Sequence, residues 1–240
     1  MKFIEFFGLP GVGKSTLTNE LIKCMRETPG GKLFSTDNIV IMSQQQTLKS
    51  GRLPAASFSE LVKNYKWIAH VLGAYVSASC SPIRALKRIK WTLDVLRFFS
   101  KCHRHNDDSG VFVRDEGFCC RGFSLALSSP RDAADVDKYF LMMPKPDAVI
   151  ILYASIECIK SRVQKRAIKH GGRVAISIDD YDPFARLIES AEITLRSRGI
   201  PVLRINSEIP IKEQVFQVQK FIEQLFVKKS PQAHELPLIN

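Results

Sequence analysis

The stretch FIEFFGLPGVGKSTLTNEL, residues 3–21, passes from an apolar run through three glycines and a lysine into an amphipathic segment. Phe3, Ile4, Phe6 and Phe7 read as a buried strand, and Leu17, Leu21 and Ile22 fall at helical spacing. Between them, Gly8, Gly11 and Gly13 free the backbone to aim several N–H groups into one concavity at the positively polarised start of the helix. Such a concavity holds phosphate. In the spelling GLPGVGKS, Lys14 would reach the outer phosphates of a nucleoside triphosphate and the Ser15 hydroxyl would hold magnesium.

Outward from that loop, strands and helices alternate. The stretch PGGKLFSTDNIVI reads as a turn, then a short strand near Lys32 to Thr36, with Asp37 just beyond it. Ser57 to Glu60 forms a capping box, and Phe58, Leu61, Val62, Tyr65, Ile68, Leu72 and Tyr75 continue at a helical period. Ser81 and Pro82 start a second helix with the stripe Ile83, Leu86, Ile89, Leu93 and Leu96, so residues 50–106 read as a helical pair inserted between strands. From Gly110 come the strand VFVRDEG, a helical stretch after Arg121, and PDAVIILYA (146–154), the continuous apolar run of a central parallel strand. A helix over 156–168, the polar loop KHGGRVAISIDDYD, a helix over 183–198, the strand IPVLRIN and a helix over 211–227 complete the domain. The expectation is an α/β fold with a parallel sheet between helices, one domain over 1–228, and a loose tail at 229–240. Right-handed crossovers would then bring the phosphate loop, Asp37 and Asp115 to one sheet edge.

Composition narrows the partners. The 240 residues are 45% hydrophobic and 25% charged, ordinary for a globular protein, and the longest apolar stretch is too short and interrupted to cross a bilayer. With no cleavable signal before the phosphate loop, a cytoplasmic location is expected. Six cysteines without paired spacing read as reduced, buried small hydrophobes, and Cys102, His103 and His105 lack a second zinc-like cluster. A net charge of +11 favours anionic partners: nucleotides, phosphorylated substrates, nucleic acid or an acidic membrane surface.

Phosphoryl transfer needs charge neutralisation more than covalent chemistry. Asp115 and Glu116 follow the apolar Val111, Phe112 and Val113, where a carboxylate can orient magnesium or its waters. Asp37 is either a base for an acceptor hydroxyl or a turn residue with Asn38. Arg162 and Arg166 lie four apart on one helix face, with Lys165 and Lys169 adjacent and Arg173 beyond, and read as an arginine-bearing lid over about 162–182. Arg84, Lys87, Arg88, Arg97, Lys101 and Arg104 give the insert a basic face that a phosphorylated acceptor, RNA or an acidic lipid surface could use. The insert aromatics Tyr65, Trp67, Trp91, Phe98 and Phe99 are assigned to the core.

These residues together carry a resemblance. The GKST loop, the strand ending in DEG, the phrase PDAVIILYASIECIKSRVQKR and the closing IPVLRINSEIPIKEQVFQVQKFIEQ resemble the nucleoside and nucleotide kinase group of P-loop proteins, thymidylate kinases and deoxynucleoside kinases especially. The resemblance implies a three-layer P-loop NTPase fold and ATP with magnesium as cofactors. It implies ATP binding by the loop Gly8, Pro10, Gly11, Val12, Gly13, Lys14, Ser15 and Thr16, with Ser15 and Asp115 at the metal and Asn206 near the adenine. Lys14, Asp37, Asp115, Glu116, Arg162 and Arg166 are then the candidate catalytic set.

The chain also departs from the group. Thymidylate kinases usually carry Asp-Arg, and deoxynucleoside kinases Glu-Arg-Ser, where this chain has Asp115, Glu116 and Gly117, with Arg114 before and Arg121 after, so the acceptor-binding arginine is displaced or absent. The acceptor is therefore left as a nucleotide, nucleoside, sugar or larger molecule, with the insert as specificity element and as the surface through which a homodimer would form. The expected activity is transfer of the γ-phosphate to a small, anionic or nucleotide-like acceptor. The alternative is an NTP-hydrolysing or ATP-binding switch acting with a macromolecular partner, against which stand the lid-like arginines and the absence of an Asn-Lys-x-Asp motif.

Overall fold

The computed structural model describes residues 2–27, 58–78, 82–104, 111–126, 133–170 and 181–227. Four strands, β1 (Lys2–Phe7), β2 (Val111–Arg114), β3 (Ala148–Tyr153) and β4 (Val202–Asn206), form one parallel sheet in the order β2-β1-β3-β4. The helices are α1 (Lys14–Glu27), α2 (Phe58–Lys63), α3 (Tyr65–Ala78), α4 (Pro82–Arg104), α5 (Phe118–Ala126), α6 (Ala133–Met142), α7 (Ile156–His170), α8 (Tyr181–Ser197) and α9 (Ile211–Val227). They flank the sheet in a three-layer α/β arrangement. The expected strand at Lys32 to Thr36, Asp37, the capping box hydroxyl of Ser57, Cys80, His105, Arg173 and the tail lie outside the described residues.

Strand β1 is central and buried on both faces, which is why it reads as a run rather than an alternation. Phe3 is the hub of an aromatic cluster, edge-on to Phe99 at 5.5 Å, stacked on Phe112 at 5.7 Å and tilted against Phe118 at 5.9 Å. Trp67 joins edge-on to Phe118 at 5.4 Å. The insert is therefore anchored to the sheet by its own aromatics, each such pair adding about 1 kcal/mol beyond the area it buries.

Three expectations are corrected. The insert is not a pair of helices: its first helix breaks at Asn64, giving α2 and α3 before α4. The helix after β2 starts at Phe118, ahead of Arg121, and a further helix, α6, follows it. Val136, Tyr139 and Phe140 are its buried stripe, spaced i, i+3, i+4. Tyr65 and Trp91 are more than half exposed, whereas Trp67, Phe98 and Phe99 are core. On the basic face of α4, Lys87 and Lys90 are exposed, Arg88 lies 6.0 Å from the Tyr75 ring and Arg97 pairs with Asp94 at 3.0 Å. Cys102 is in the core and the His103 ring packs 4.1 Å from Phe99, and the described cysteines form no disulfide with one another. Among the described residues, no helix is long and apolar enough to cross a membrane and no cluster of metal-ligating side chains is present.

One charged side chain sits inside this core. Glu5 of β1 is fully buried, and desolvation pushes its carboxyl up to about 7 despite the amides of Cys120, Cys119 and Phe118 and the guanidinium of Arg114. The Cys119, Cys120 and Tyr139 side chains also face it. An acid whose folded value is raised binds its proton more tightly in the native state. Its contribution to stability is thus fully present below about pH 4.5 and lost as the pH rises to about 7, on the order of 3 kcal/mol in all. Glu5→Gln should remove that slope, which urea midpoints of mutant and parent at about pH 5 and about pH 8 would reveal. Equal slopes would refute the assignment.

Candidate active site

The loop from Gly8 to Gly13 leaves the carboxyl end of β1 and feeds α1 directly at Lys14. Gly8, Gly11 and Gly13 have φ of 146°, 85° and 112°, so each occupies backbone space that side chains disfavour. Gly8 is also sterically obligatory, since a Cβ there would lie 2.5 Å from the Leu152 carbonyl oxygen of β3. The Lys14 ammonium donates to the carbonyls of Gly8 at 2.7 Å and Leu9 at 3.1 Å, which holds the positive charge across the loop's mouth.

Asp115 and Glu116, which follow β2, face the loop with their carboxylates committed differently. Asp115 Oδ2 accepts a hydrogen bond from the Ser15 hydroxyl at 3.0 Å, and its Oδ1 is buried without a partner. Glu116 Oε2 instead accepts from the Arg121 guanidinium at 2.9 Å. Arg114 supports the same turn, donating from Nε to the Glu116 carbonyl at 2.7 Å while stacking 4.5 Å from the Phe98 ring. Burial lowers the Arg114 guanidinium to about 10, so it remains charged at neutral pH.

Arg121 is the residue that the motif reading could not place. One turn into α5, its side chain is buried to within a tenth of its surface, lies 5.5 Å from the Trp91 ring and leaves Nε without a partner. Its own carbonyl accepts from the Tyr75 hydroxyl at 3.1 Å, which ties α5 to α3 of the insert. The guanidinium that faces Glu116 thus comes from within the following helix, and the helical rise of α5 brings it back onto Glu116.

The arginine pair of α7 divides. The Arg162 guanidinium donates to the Val12 carbonyl at 2.9 Å, the Ser207 hydroxyl at 2.9 Å and the Ser207 carbonyl at 2.8 Å. It is a clamp between the phosphate loop and the turn after β4, held there because α7 packs beneath the loop. Arg166, one turn further, is exposed and lines the cleft. Residues 171–180 of the expected lid lie outside the described residues. Arg162→Ala should cost about 2 kcal/mol of stability and Arg162→Lys should not restore it, because an ammonium cannot meet three divergent acceptors. Chemical denaturation of both variants checks this, and full recovery in the lysine variant would contradict the clamp.

Asn206 is likewise redirected. Its Oδ1 accepts from the Glu208 amide at 2.9 Å, so the side chain shapes the turn while Ser207, Glu208 and Ile209 line the cleft. The amide of Ser155 donates to Glu208 at 2.5 Å and holds that exposed carboxyl below its ordinary value. Pro10, Gly11, Val12, Ser15 and Thr16 all line the same cleft of ≈ 780 Å³, whose far wall is built by Cys120, Arg121, Phe123 and Ser124 of α5.

A parallel sheet ending in a glycine loop, with a loop lysine, a hydroxyl at the first turn and a carboxylate after the neighbouring strand, is the local geometry that a phosphate-binding loop requires. Among solved structures, the chain is similar to deoxyadenosine kinase from M. mycoides with dCMP and dCDP bound, at 15% identity and a TM-score of 0.51, over 92% of this chain and 99% of that one. The same enzyme with dATP bound gives 15% identity and 0.48, over 92% and 98%. The likeness is one of fold. No protein-family profile and no curated protein sequence matches the chain.

Proposed function

We propose that this protein is an ATP-dependent phosphotransferase that moves the γ-phosphate to a hydroxyl of a small acceptor, with nucleosides the first class to try. The observation that carries the reading is the split commitment of the two carboxylates: Asp115 to Ser15 on the nucleotide side, Glu116 to Arg121 on the far wall. A hydrolysing switch needs only the first arrangement. A kinase needs both, because it must hold a second substrate opposite the first.

In this reading the loop amides and Lys14 bind the β- and γ-phosphates, and Arg166 adds positive charge beside them. Ser15 and Asp115 fit a hard divalent cation, since the hydroxyl and the partnerless Oδ1 are oxygen donors meeting at the loop's edge. Magnesium held there would neutralise phosphate charge. Glu116 takes the proton of the acceptor hydroxyl, and Arg121 keeps that carboxylate oriented. The compensated Glu116–Arg121 pair suits a neutral, hydroxyl-bearing acceptor, because a phosphorylated one would have to compete with Glu116 for the guanidinium. The fold likeness to a deoxyadenosine kinase supports trying nucleosides before sugars.

The test is ATP turnover with magnesium against separate pools of nucleosides, deoxynucleosides, nucleoside monophosphates and sugars, followed by mass spectrometry of the acceptor. A phosphorylated nucleoside or deoxynucleoside is expected. Acceptor-independent release of phosphate would favour the switch reading, and a phosphorylated monophosphate would overturn the neutral-acceptor assignment.

A further inference from the structure

Glu5 is unlike the other polar residues near the cleft because it points away from it, into the core. Its backbone is paired with Arg114 of β2, and its carboxyl lies under the turn that carries Asp115, Glu116 and Gly117. Oε1 accepts from the Cys120 amide at 3.2 Å, and the amides of Cys119 and Phe118 also face the carboxyl. The first amides of a helix have no partner within it, so this carboxyl, reaching across from another strand, satisfies the start of α5. Gly117 closes the contact: a Cβ there would lie 2.5 Å from Oε2. That oxygen has no hydrogen-bond partner.

A buried carboxyl with a partnerless oxygen is a costly core residue, and an apolar side chain would fill β1 at that point more cheaply. Its one structural product is the placement of α5. From that placement follow Arg121 on Glu116, the Arg121 amide on the Gly117 carbonyl at 3.2 Å, and the Cys120 thiol against the Asp115 carbonyl at 3.7 Å. We infer that Glu5 is a positioning residue, whose carboxyl pins the first turn of α5 and thereby sets the 115–117 turn and the Arg121 guanidinium across the cleft from the phosphate loop. The inference rests on the phosphotransferase reading for its kinetic consequence, though not for the anchor itself.

Two variants disturb the anchor from opposite sides. Glu5→Gln keeps the size of the side chain and one accepting oxygen but turns an NH₂ group toward helix amides that need acceptors. Gly117→Ala leaves Glu5 intact and pushes its carboxyl away. Each should lower kcat about tenfold while the KM for ATP moves less than about threefold, because the phosphate loop itself is untouched. The double variant should be little worse than either alone, since both break one contact. Hydrogen exchange at the amides of residues 118–120 should accelerate in both.

Unaltered exchange in both variants would overturn the anchor, whether or not the parent protein transfers phosphate. Faster exchange with kcat per folded molecule unchanged would reduce Glu5 to a core residue. ATP affinity falling in step with kcat would also overturn the inference, because the defect would then lie in the loop. A parent protein that phosphorylates no acceptor would count against the proposed function alone, and the exchange comparison would still decide the anchor.

Discussion

Asp115→Asn is expected to lower kcat by about a thousandfold while ATP without magnesium binds as before. The substitution keeps the side chain's shape and an oxygen for the Ser15 hydroxyl to donate to, so the fold is not at stake. What it removes is negative charge at Oδ1, the buried oxygen that no protein group satisfies. A neutral amide there is a weaker donor to a divalent cation and cannot offset the cation's charge. The diagnostic measurement is therefore nucleotide affinity with and without magnesium, beside single-turnover rates. The parent should gain affinity from magnesium and the variant should not. A variant that keeps both the magnesium response and the parent rate would remove Asp115 from the site.

Lys14→Ala is expected to be nearly as severe, but in a different quantity. Its ammonium sits 2.7 Å from the Gly8 carbonyl and 3.1 Å from the Leu9 carbonyl, so it braces the loop as well as carrying charge to the phosphates. Removal should weaken triphosphate binding by about a hundredfold and leave residual transfer at least a hundredfold below the parent. Equilibrium binding of ATP and of adenosine separates the two roles. Loss confined to ATP is the expected pattern, since adenosine offers no phosphate for Lys14 to meet. Unchanged ATP binding would exclude Lys14 from the phosphate site.

These predictions draw unequally on the sequence. The strand-loop-helix unit at residues 2–27 was fully legible, because a strand, glycines at fixed offsets, a lysine and a hydroxyl at the head of a helix are all local in the chain. β3 was legible as an apolar run because burial on both faces leaves no polar positions in it. For Arg162 a helical position was legible, but not its partners. Its helical spacing from Arg166 suggested a shared exposed face, but its partners Val12 and Ser207 are 150 and 45 residues away along the chain. Arg121 was noted only as an arginine after a missing one, since its return to Glu116 needs the first turn of α5 to begin at Phe118.

Glu5 went unread because a single acid in an apolar strand carries no pattern at all. Local order, in short, was written in the sequence: the strand-loop-helix unit, the alternation that makes a parallel sheet, and the residue types that phosphate requires. Such features depend on backbone geometry within a few residues of one another. Which arginine clamps the loop, which one orients the second carboxylate, and which carboxyl anchors α5 were decided only by the tertiary structure. The Arg162 clamp and the Glu5 anchor join segments more than 40 residues apart in the chain, and Arg121, only five residues from Glu116, is tied to the insert through Tyr75. All are set when the aromatic cluster around Phe3 draws the insert, β2 and α5 onto the sheet.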